Sequence, residues 1–344
     1  METLYLLYNQ SVHSVNLSVS ISNVTPIAAS DSFGNISSSI RNIINVFAVP
    51  TLCFISFAGN FINLLVLRRY GYKEPNIMFL TSLVVVEMLL TLLHAIMSFG
   101  DILKYIDVAA ALRVGTFTAI YFNVPRTMIV SINVCHVTTI AVERVIAVCL
   151  PFHASRLFTF SRIKKLLIFI YVFPIVFLSP ALFILEHKWI YSPVLNTTLI
   201  VPVETQFFKA NKVSVSTYMN VPGNVFSTFI PLILIACSLL VLFKLFQRKL
   251  SFSTRTSSKK IKSLKGMKIL FSICLATILI STPGIYLLKY CEFTNLTSGD
   301  LYSLFYDISK LLCQLHAATD FFIYITISSK FLKIFKELFG LQKI

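Results

Sequence analysis

The sequence predicts an all-α membrane protein: a bundle of seven transmembrane helices followed by a short amphipathic helix. Of its 344 residues, 56% are hydrophobic and only 13% are charged, whereas soluble domains carry about a quarter charged residues. The apolar residues also come in blocks of membrane-spanning length, since about 20 apolar helical residues cross a ~30 Å hydrocarbon core. A multi-pass protein of the lipid bilayer is therefore expected.

Seven apolar blocks qualify as spans one to seven, at residues 44–67, 78–99, 114–142, 166–185, 221–246, 267–288 and 301–327. Spans three and seven also contain polar residues, namely Asn123, Arg126, Asn133, Lys310, His316 and Asp320. We count both as spans because polar side chains can face the interior of a bundle. The predicted division is an N-terminal tail at 1–43, a seven-helix domain at 44–328, and an amphipathic helix with a short tail at 329–344.

The distribution of charge predicts the orientation. Of the 30 Lys and Arg residues, 21 fall on the side that carries the C-terminus, where only Glu74, Glu143 and Glu337 oppose them. Excess positive charge marks the cytoplasmic side of a membrane protein. The sequence thus predicts a plasma-membrane protein with an extracellular N-terminus and a cytoplasmic C-terminus. Because the net charge of +16 lies at membrane boundaries, it does not indicate nucleic-acid binding.

Glycosylation sequons give an independent indication of the same orientation. Six Asn-x-Ser/Thr motifs occur, and all six fall on the side predicted to be extracellular, where glycosylation takes place. The acceptor residues are Asn9, Asn16, Asn23, Asn35, Asn196 and Asn295.

The connecting segments are short except for the outer loop at 186–220, which is long enough to form a lid or hairpin over the bundle. Residues 1–40 are polar and are expected to contribute no core. After span seven, residues 331–339 place apolar side chains at intervals of three and four, which predicts an amphipathic helix on the inner membrane face. Six of the seven cysteines lie within or beside spans, and no disulfide framework is expected.

Weak motifs occur in order along the spans. Span one holds Gly59-Asn60, span two Glu87, span three ends at Glu143-Arg144-Val145, spans five and six hold Pro231 and Pro283, and span seven ends at residues 320–324, Asp-Phe-Phe-Ile-Tyr. In this order and at these depths, residues 44–340 resemble the rhodopsin-like G-protein-coupled receptors. The outer loop and the end of span seven resemble invertebrate peptide or chemosensory receptors.

The resemblance implies an activation switch. Arg144 would pair with Glu143 at rest and be released when span six swings outward, which opens a groove for a G protein. Tyr324 would rotate inward to hold the open state. Pro231 and Pro283 would loosen the helices where they bend, although ordinary kinks are an alternative.

The resemblance also implies a polar core of Asn60, Glu87 and Asp320, with Asn133 and His316 nearby. Two carboxylates in one desolvated site cannot easily both ionise, so a proton or a sodium ion is expected between Glu87 and Asp320. The alternative is a neutral, hydrogen-bonded acid. No other metal and no cofactor is expected.

The chain departs from the family pattern in several places. Glu87 replaces the usual aspartate of span two, Asp320-Phe321 replaces the usual Asn-Pro of span seven, and Ser281 stands where an aromatic residue is usual. Ala119 occupies the position of the usual disulfide cysteine, and residues 186–220 contain no cysteine. The geometry of the outer loop is therefore open, and span six offers no acid as a second partner for Arg144.

Arg126 is the main indication of ligand chemistry. It precedes Arg144 by 18 residues, which is about five helical turns, so both side chains are expected on the face toward the bundle interior. With Lys310 it would form a cationic pocket for a carboxylate, a sulfate or a peptide C-terminus. Alternatively, Arg126 pairs internally with an acid: Asp101, Asp307 or Glu204. Further ligand-binding candidates, chosen by depth and face, are His94, Ser98, Thr127, Val130, Ser227, Ile285, Leu288 and Gln314.

The predicted function is that of a receptor, which binds an extracellular peptide or small chemosensory molecule and activates a heterotrimeric G protein. The alternative is a seven-span transporter or channel, in which Glu87, Asp320 and His316 form an ion or proton path. An enzyme is not expected, because no nucleophile with a matched base and no metal-ligand cluster is evident in the sequence.

Overall fold

The computed structural model describes residues 31–71, 75–193, 196–250, 271–294 and 299–341. Within these ranges, six helices are long and apolar enough to cross a membrane, and the number is seven if Asp300–Ile327 and Ser329–Leu338, bent by 99° at their junction, count as one span. The predicted fold class, a helical multi-pass membrane protein, is confirmed. Large apolar side chains such as Phe54 and Val176 are exposed on the outside of the bundle, as expected of a surface that meets lipid.

The first half of the described chain contains α1 (Asp31–Asn42), α2 (Val49–Tyr70), α3 (Pro75–Leu103), α4 (Val108–Tyr121), α5 (Asn123–Cys149), α6 (Pro151–Leu157) and α7 (Phe160–Leu178). The second half contains β1 (Leu185–Ser192), β2 (Thr197–Glu204), α8 (Gln206–Ala210), α9 (Lys212–Asn224), α10 (Ile230–Leu250), α11 (Thr282–Phe293), α12 (Asp300–Ile327) and α13 (Ser329–Leu338). Spans one to four are built on α2, α3, α5 and α7, span five on α9 and α10, and spans six and seven on α11 and α12.

Three π-helical turns interrupt the spans, at Ile43–Ala48, Val225–Phe229 and Thr277–Ser281. Each ends two residues before a proline: Pro50, Pro231 and Pro283. Proline has no N–H to donate, and its ring displaces the carbonyl four residues earlier, so a wider turn absorbs the mismatch. The sequence alone singles out Pro231 and Pro283; the same arrangement at Pro50 emerges only from the structure.

Span three is not continuous, contrary to the prediction for residues 114–142. It breaks at Phe122 into α4 and α5, and the ladder resumes where the Arg126 N–H donates to the Phe122 carbonyl at 2.9 Å. The cause is Pro125, which lacks the N–H that the Tyr121 carbonyl would accept in an unbroken helix.

Residues 31–42 form α1, so part of the segment assigned to a coreless tail is helical. The helix docks on the start of α12: the Arg41 Nε lies 2.8 Å from the Asp307 Oδ2, and the Ser37 hydroxyl donates to the Asp300 carbonyl at 3.3 Å. The polar composition of this segment did not predict a helix, because the helix is stabilised by partners more than 260 residues away in the sequence.

The bundle has a hairpin end, which carries β1 and β2, and an Arg144 end, which carries α6 and α13. At the Arg144 end a buried core of Phe79, Leu83 and Ile140 holds spans two and three together. The rings of Tyr324 and Phe331 stack with their centroids 5.5 Å apart, which fixes α13 against span seven. The Ser328 hydroxyl accepts from the Phe331 N–H at 3.1 Å and begins α13.

The outer loop contains an antiparallel hairpin in which Leu185 pairs with Glu204 and Ser192 with Thr197. All seven cysteines of the chain are free, so the hairpin is attached without a disulfide. Instead, β2 packs against α4, and the hydroxyl of Tyr121 is hydrogen-bonded to the Nδ1 of His187. These contacts hold the outer loop against the bundle in the absence of the usual disulfide.

Spans one and seven approach closely at Gly59, where an added Cβ would lie 2.8 Å from the Cβ of Phe321. We expect Gly59→Ala to force the helices apart and to lower the free energy of unfolding by about 1–3 kcal/mol. Gly115→Ala is the matched control, because a Cβ there meets no atom within 4 Å and alanine is the better helix former by roughly 1 kcal/mol. Thermal unfolding of the purified variants in detergent measures both; equal midpoints would contradict this helix contact.

Candidate functional site

A cavity of about 240 Å³ lies inside the bundle toward the hairpin end. Its walls come from α3, α5, α7, α9, α11 and α12, and from the two π turns that precede Pro231 and Pro283. Phe226 and Ser227 represent the first π turn on the wall, and Thr277 and Ser281 the second. The cavity is therefore bounded by the parts of spans five and six whose hydrogen-bond ladders are irregular.

The predicted ligand-binding residues divide into two groups. Those that line the cavity are Arg126, Thr127, Val130, Ser227, Ile285, Leu288 and Lys310. His94, Ser98 and Gln314 are buried but are not on its wall. The His94 Nε2 lies 3.4 Å from the Arg126 guanidinium, and the Gln314 amide is hydrogen-bonded to the His94 Nδ1. Seven of the ten candidates thus line one cavity, and two of the other three lie directly behind Arg126.

Positive charge dominates the cavity wall. Arg126, Lys289 and Lys310 all line it, and no aspartate or glutamate is among the lining residues of the described chain. Lys289 donates to the Asn224 side-chain oxygen at 3.2 Å. An anionic group inside this cavity would meet three cations and no opposing carboxylate from the described lining residues.

The guanidinium of Arg126 has neutral partners. It lies 3.3 Å from the Asn123 Oδ1 and 3.4 Å from the His94 Nε2, and its Cζ stands 5.5 Å from the centre of the Tyr306 ring. Its Nε is buried without a hydrogen-bond partner among the described residues. The internal salt bridge considered from the sequence, to Asp101, Asp307 or Glu204, is not among the ion pairs of the described chain.

Lys310 does have an acidic partner. Its Nζ lies 3.6 Å from the Asp307 Oδ1, while Arg41 of α1 contacts the other oxygen of the same carboxylate. One acid therefore contacts two cations, Arg41 and Lys310, at the edge of the cavity. This junction also connects α1 to the cavity, a link that sequence spacing could not show because Arg41 and Asp307 are 266 residues apart.

Three residues of the expected polar core, Glu87, His316 and Asp320, lie together in the bundle. One carboxylate oxygen of Glu87, one of Asp320 and one ring nitrogen of His316 all lie within 4.8 Å of one another. Asn60 donates to the Ala317 carbonyl at 3.1 Å, and Asn133 lies on the cavity wall. His316 lines the cavity as well, so the polar core and the cavity share a side chain.

Two further polar residues belong to this region. The Thr277 hydroxyl is hydrogen-bonded to the His316 Nε2 at 2.8 Å, and the Asn63 amide donates to the Asn60 Oδ1 at 3.1 Å. Thr277 is the first residue of the π turn of span six, and the irregular turn could not be located from the sequence. A single threonine in an apolar block carries no signal in the sequence.

The switch residues lie at the Arg144 end. The Arg144 Nε donates to the Glu143 Oε2 at 2.5 Å, and a terminal guanidinium nitrogen contacts the same carboxylate. Both residues are 6% exposed. The hydroxyl of Tyr324 is buried without a hydrogen-bond partner among the described residues. The start of span six, from Ser263 to Lys268 in the sequence, lies outside the described residues.

Of the six sequon asparagines, Asn35 and Asn196 are exposed, as a modified side chain requires. Asn196 lies next to β2 with a positive φ of 47°. Asn9, Asn16, Asn23 and Asn295 lie outside the described residues.

The family model of the 7 transmembrane receptor (rhodopsin family) matches residues 59–324. The chain belongs to this family. Proteins of this family are receptors rather than enzymes, and they act through an extracellular ligand and a G protein. The match also favours the receptor over the transporter that the buried acids left open.

The chain is also similar to the thyrotropin-releasing hormone receptors. It is 24% identical to those of mouse and human and 27% identical to that of chicken, over 145 residues that make up 42% of the chain. The chain spans about a third of these relatives' length, 36% of the mouse and 35% of the human and chicken receptors. These relatives are vertebrate proteins, and the narrower expectation of an invertebrate receptor stays a prediction.

Proposed function

We propose that this chain is a plasma-membrane receptor that binds an extracellular ligand with an acidic group and activates a heterotrimeric G protein. The hairpin end faces outside in this proposal, in keeping with the sequons, and the Arg144 end faces the cytoplasm, in keeping with the excess of positive charge there. The relatives named above are hormone receptors, which supports a diffusible hormone-like ligand, either a peptide or a small molecule.

Arg126 is the observation that carries the ligand class. Its guanidinium stands in the cavity wall with neutral partners and an unpartnered Nε. Arginine binds carboxylates and sulfates through two parallel hydrogen bonds. A ligand acid would supply the missing charge, and Lys289 and Lys310 would add to its attraction.

The size of the cavity limits what can enter. Its volume of about 240 Å³ is at or below the low end of drug-like pockets, roughly 300–1,000 Å³. It therefore suits a small acid or the terminal residue of a longer peptide, whose remainder would lie between the hairpin and α1. A free carboxylate at a peptide C-terminus meets both requirements.

The geometry between the two ends suggests how binding is transmitted. The π turns of spans five and six lie on the cavity wall, and each precedes a proline. The backbone hydrogen bonds are already irregular there, so these helices can bend without breaking regular helical hydrogen bonds. Contact between ligand and wall would change the bend of span six. Arg144 would then leave Glu143 and open the binding surface for the G protein.

Replacement of Arg126 tests the ligand class. We expect a panel of carboxylic acids, sulfates, and peptides with free or amidated C-termini to yield agonists that carry an acid. Arg126→Ala should raise the EC50 of such an agonist roughly 10- to 100-fold, since a hydrogen bond to a charged group contributes about 1.5–3 kcal/mol. Arg126→Lys should recover part of the loss.

The control is Arg113→Ala, because Arg113 of α4 donates to its own helix at the Ala109 carbonyl and does not line the cavity. Its EC50 should match that of the parent. An agonist panel composed only of neutral or amidated compounds, or unchanged potency in Arg126→Ala, would overturn the acidic-ligand proposal.

Removal of the charge at Glu143 tests the switch. Glu143→Gln leaves the size of the side chain but withdraws the ion pair that holds Arg144, so ligand-free signalling should rise several-fold at equal surface expression. Glu337→Gln is the matched control, since Glu337 is paired at 3.9 Å with Lys333 on the exposed face of α13. Basal signalling that stays equal in the parent and both variants would argue against this lock.

A further inference from the structure

Three potential metal-ligand side chains converge between spans two and seven. Glu87 projects from α3, while His316 and Asp320 lie four residues apart on α12 and so share one helical face. Their exposed fractions are 0%, 2% and 0%, and their donor atoms lie within 4.8 Å of one another. No other group of three such residues occurs in the described chain.

The two carboxylates have no neutral donors to satisfy them. All four of their oxygen atoms are buried, and none accepts a hydrogen bond from a described residue. The Asn60 amide donates to the Ser56 hydroxyl and the Ala317 carbonyl. Buried, ionised carboxylates without partners are strongly destabilising, so the two acids need either a proton between them or a bound cation.

His316 is held as a ligand requires. The Thr277 hydroxyl has one proton, which it donates to the Ile273 carbonyl at 3.0 Å. Its oxygen is then left to accept from the His316 Nε2, 2.8 Å away. We assign the neutral tautomer with the proton on Nε2, which makes Nδ1 the ring nitrogen that carries the lone pair. A second hydrogen bond that fixes ring and tautomer is typical of metal-binding histidines.

We propose that Glu87, His316 and Asp320 bind a divalent transition-metal ion of the zinc type in the bundle core. Two carboxylates and a 2+ ion form a neutral unit, whereas sodium would leave one negative charge uncompensated in a desolvated site. An imidazole nitrogen suits zinc and its neighbours in the periodic table, while sodium, calcium and magnesium prefer oxygen ligands alone. Three protein ligands leave a fourth position for water.

An ion can reach these residues through the cavity. His316 lines the cavity and also belongs to the acid cluster. A hydrated ion that enters from the hairpin end therefore meets the histidine first and the carboxylates behind it. Once bound, it would connect span two to span seven and raise the thermal stability of the bundle.

The test uses the full chain, purified in lipid nanodiscs and treated with a chelator. Sodium is titrated alone in a first series and is held constant in the series with Zn²⁺ and Co²⁺. Zn²⁺ is titrated while the unfolding midpoint is recorded, and Co²⁺ is titrated while its visible absorption is recorded. We expect saturable stabilisation by Zn²⁺ and the intense bands of Co²⁺ at low coordination number. His316→Gln should abolish both signals.

Thr277 supplies the sharper variant, because it leaves all three ligands in place. Thr277→Val removes the acceptor of the His316 Nε2 proton and should weaken Zn²⁺ binding about 10- to 100-fold. Thr277→Ser keeps the hydroxyl and should bind as the parent does. His136→Gln is the control for a buried histidine elsewhere, since His136 is bonded to Ser82 and to the Ile132 carbonyl. Cys313→Ser tests whether the thiol of Cys313, which lines the cavity, is a zinc ligand; Zn²⁺ binding should be unchanged in this variant.

Stabilisation by sodium alone, without a Zn²⁺ or Co²⁺ response, would overturn the proposal in favour of the sodium site expected from the sequence. A Zn²⁺ response that persists in His316→Gln, or one that disappears in Cys313→Ser, would overturn it in favour of other ligands. If His316→Gln does not fold, the comparison of Thr277→Val with Thr277→Ser decides, and equal Zn²⁺ affinity in those two variants would count against the site.

Discussion

Hydrocarbon offers no hydrogen bonds, and this constraint explains most of the structure. Each span must satisfy its own backbone, so a helix interrupted in the membrane needs a local remedy. The chain meets the problem at Pro50, Pro231 and Pro283 with a wider π turn immediately before each proline. At Pro125 it accepts a one-residue break. Two of the three π turns lie on the cavity wall, so the irregular backbone is placed where it can also serve a ligand.

The same constraint collects polar side chains in the interior of the bundle. Arg126, His94 and Gln314 form one hydrogen-bonded group beside the cavity. His316 with Thr277 forms a second, next to Glu87 and Asp320, and the buried Tyr324 lies toward the Arg144 end. None of these groups could face lipid without a large free-energy penalty.

Much of this arrangement could be predicted from the sequence, and the reasons are physical. Spans and fold class follow from apolar length, and the family follows from weak motifs at fixed depths. Arg126 and Lys310 could be placed on one cavity because charges within a span must turn inward. The limits are equally clear at Phe122, where one proline displaced the helix boundary, and in α1, which is stabilised by contacts with Asp300 and Asp307 far along the chain.

Other features depended on three-dimensional contacts that no local pattern encodes. Thr277 lies in a π turn and is hydrogen-bonded to His316. The hairpin is attached through the hydrogen bond between Tyr121 and His187 and not through a disulfide. His94 and Gln314, chosen by depth along their helices, are hydrogen-bonded to one another and do not line the cavity. A sequence can specify which residues must be buried; which of them meet depends on helix rotation and packing.

The most direct test of the account is nucleotide exchange in a defined system. The purified chain would be reconstituted in lipid vesicles with each major class of heterotrimeric G protein, and GTP-analogue uptake would be measured with and without an acidic agonist from the ligand panel. Nucleotide exchange that the agonist accelerates is expected with at least one class of G protein. No exchange with any class, together with agonist-driven ion flux across the same vesicles, would contradict it.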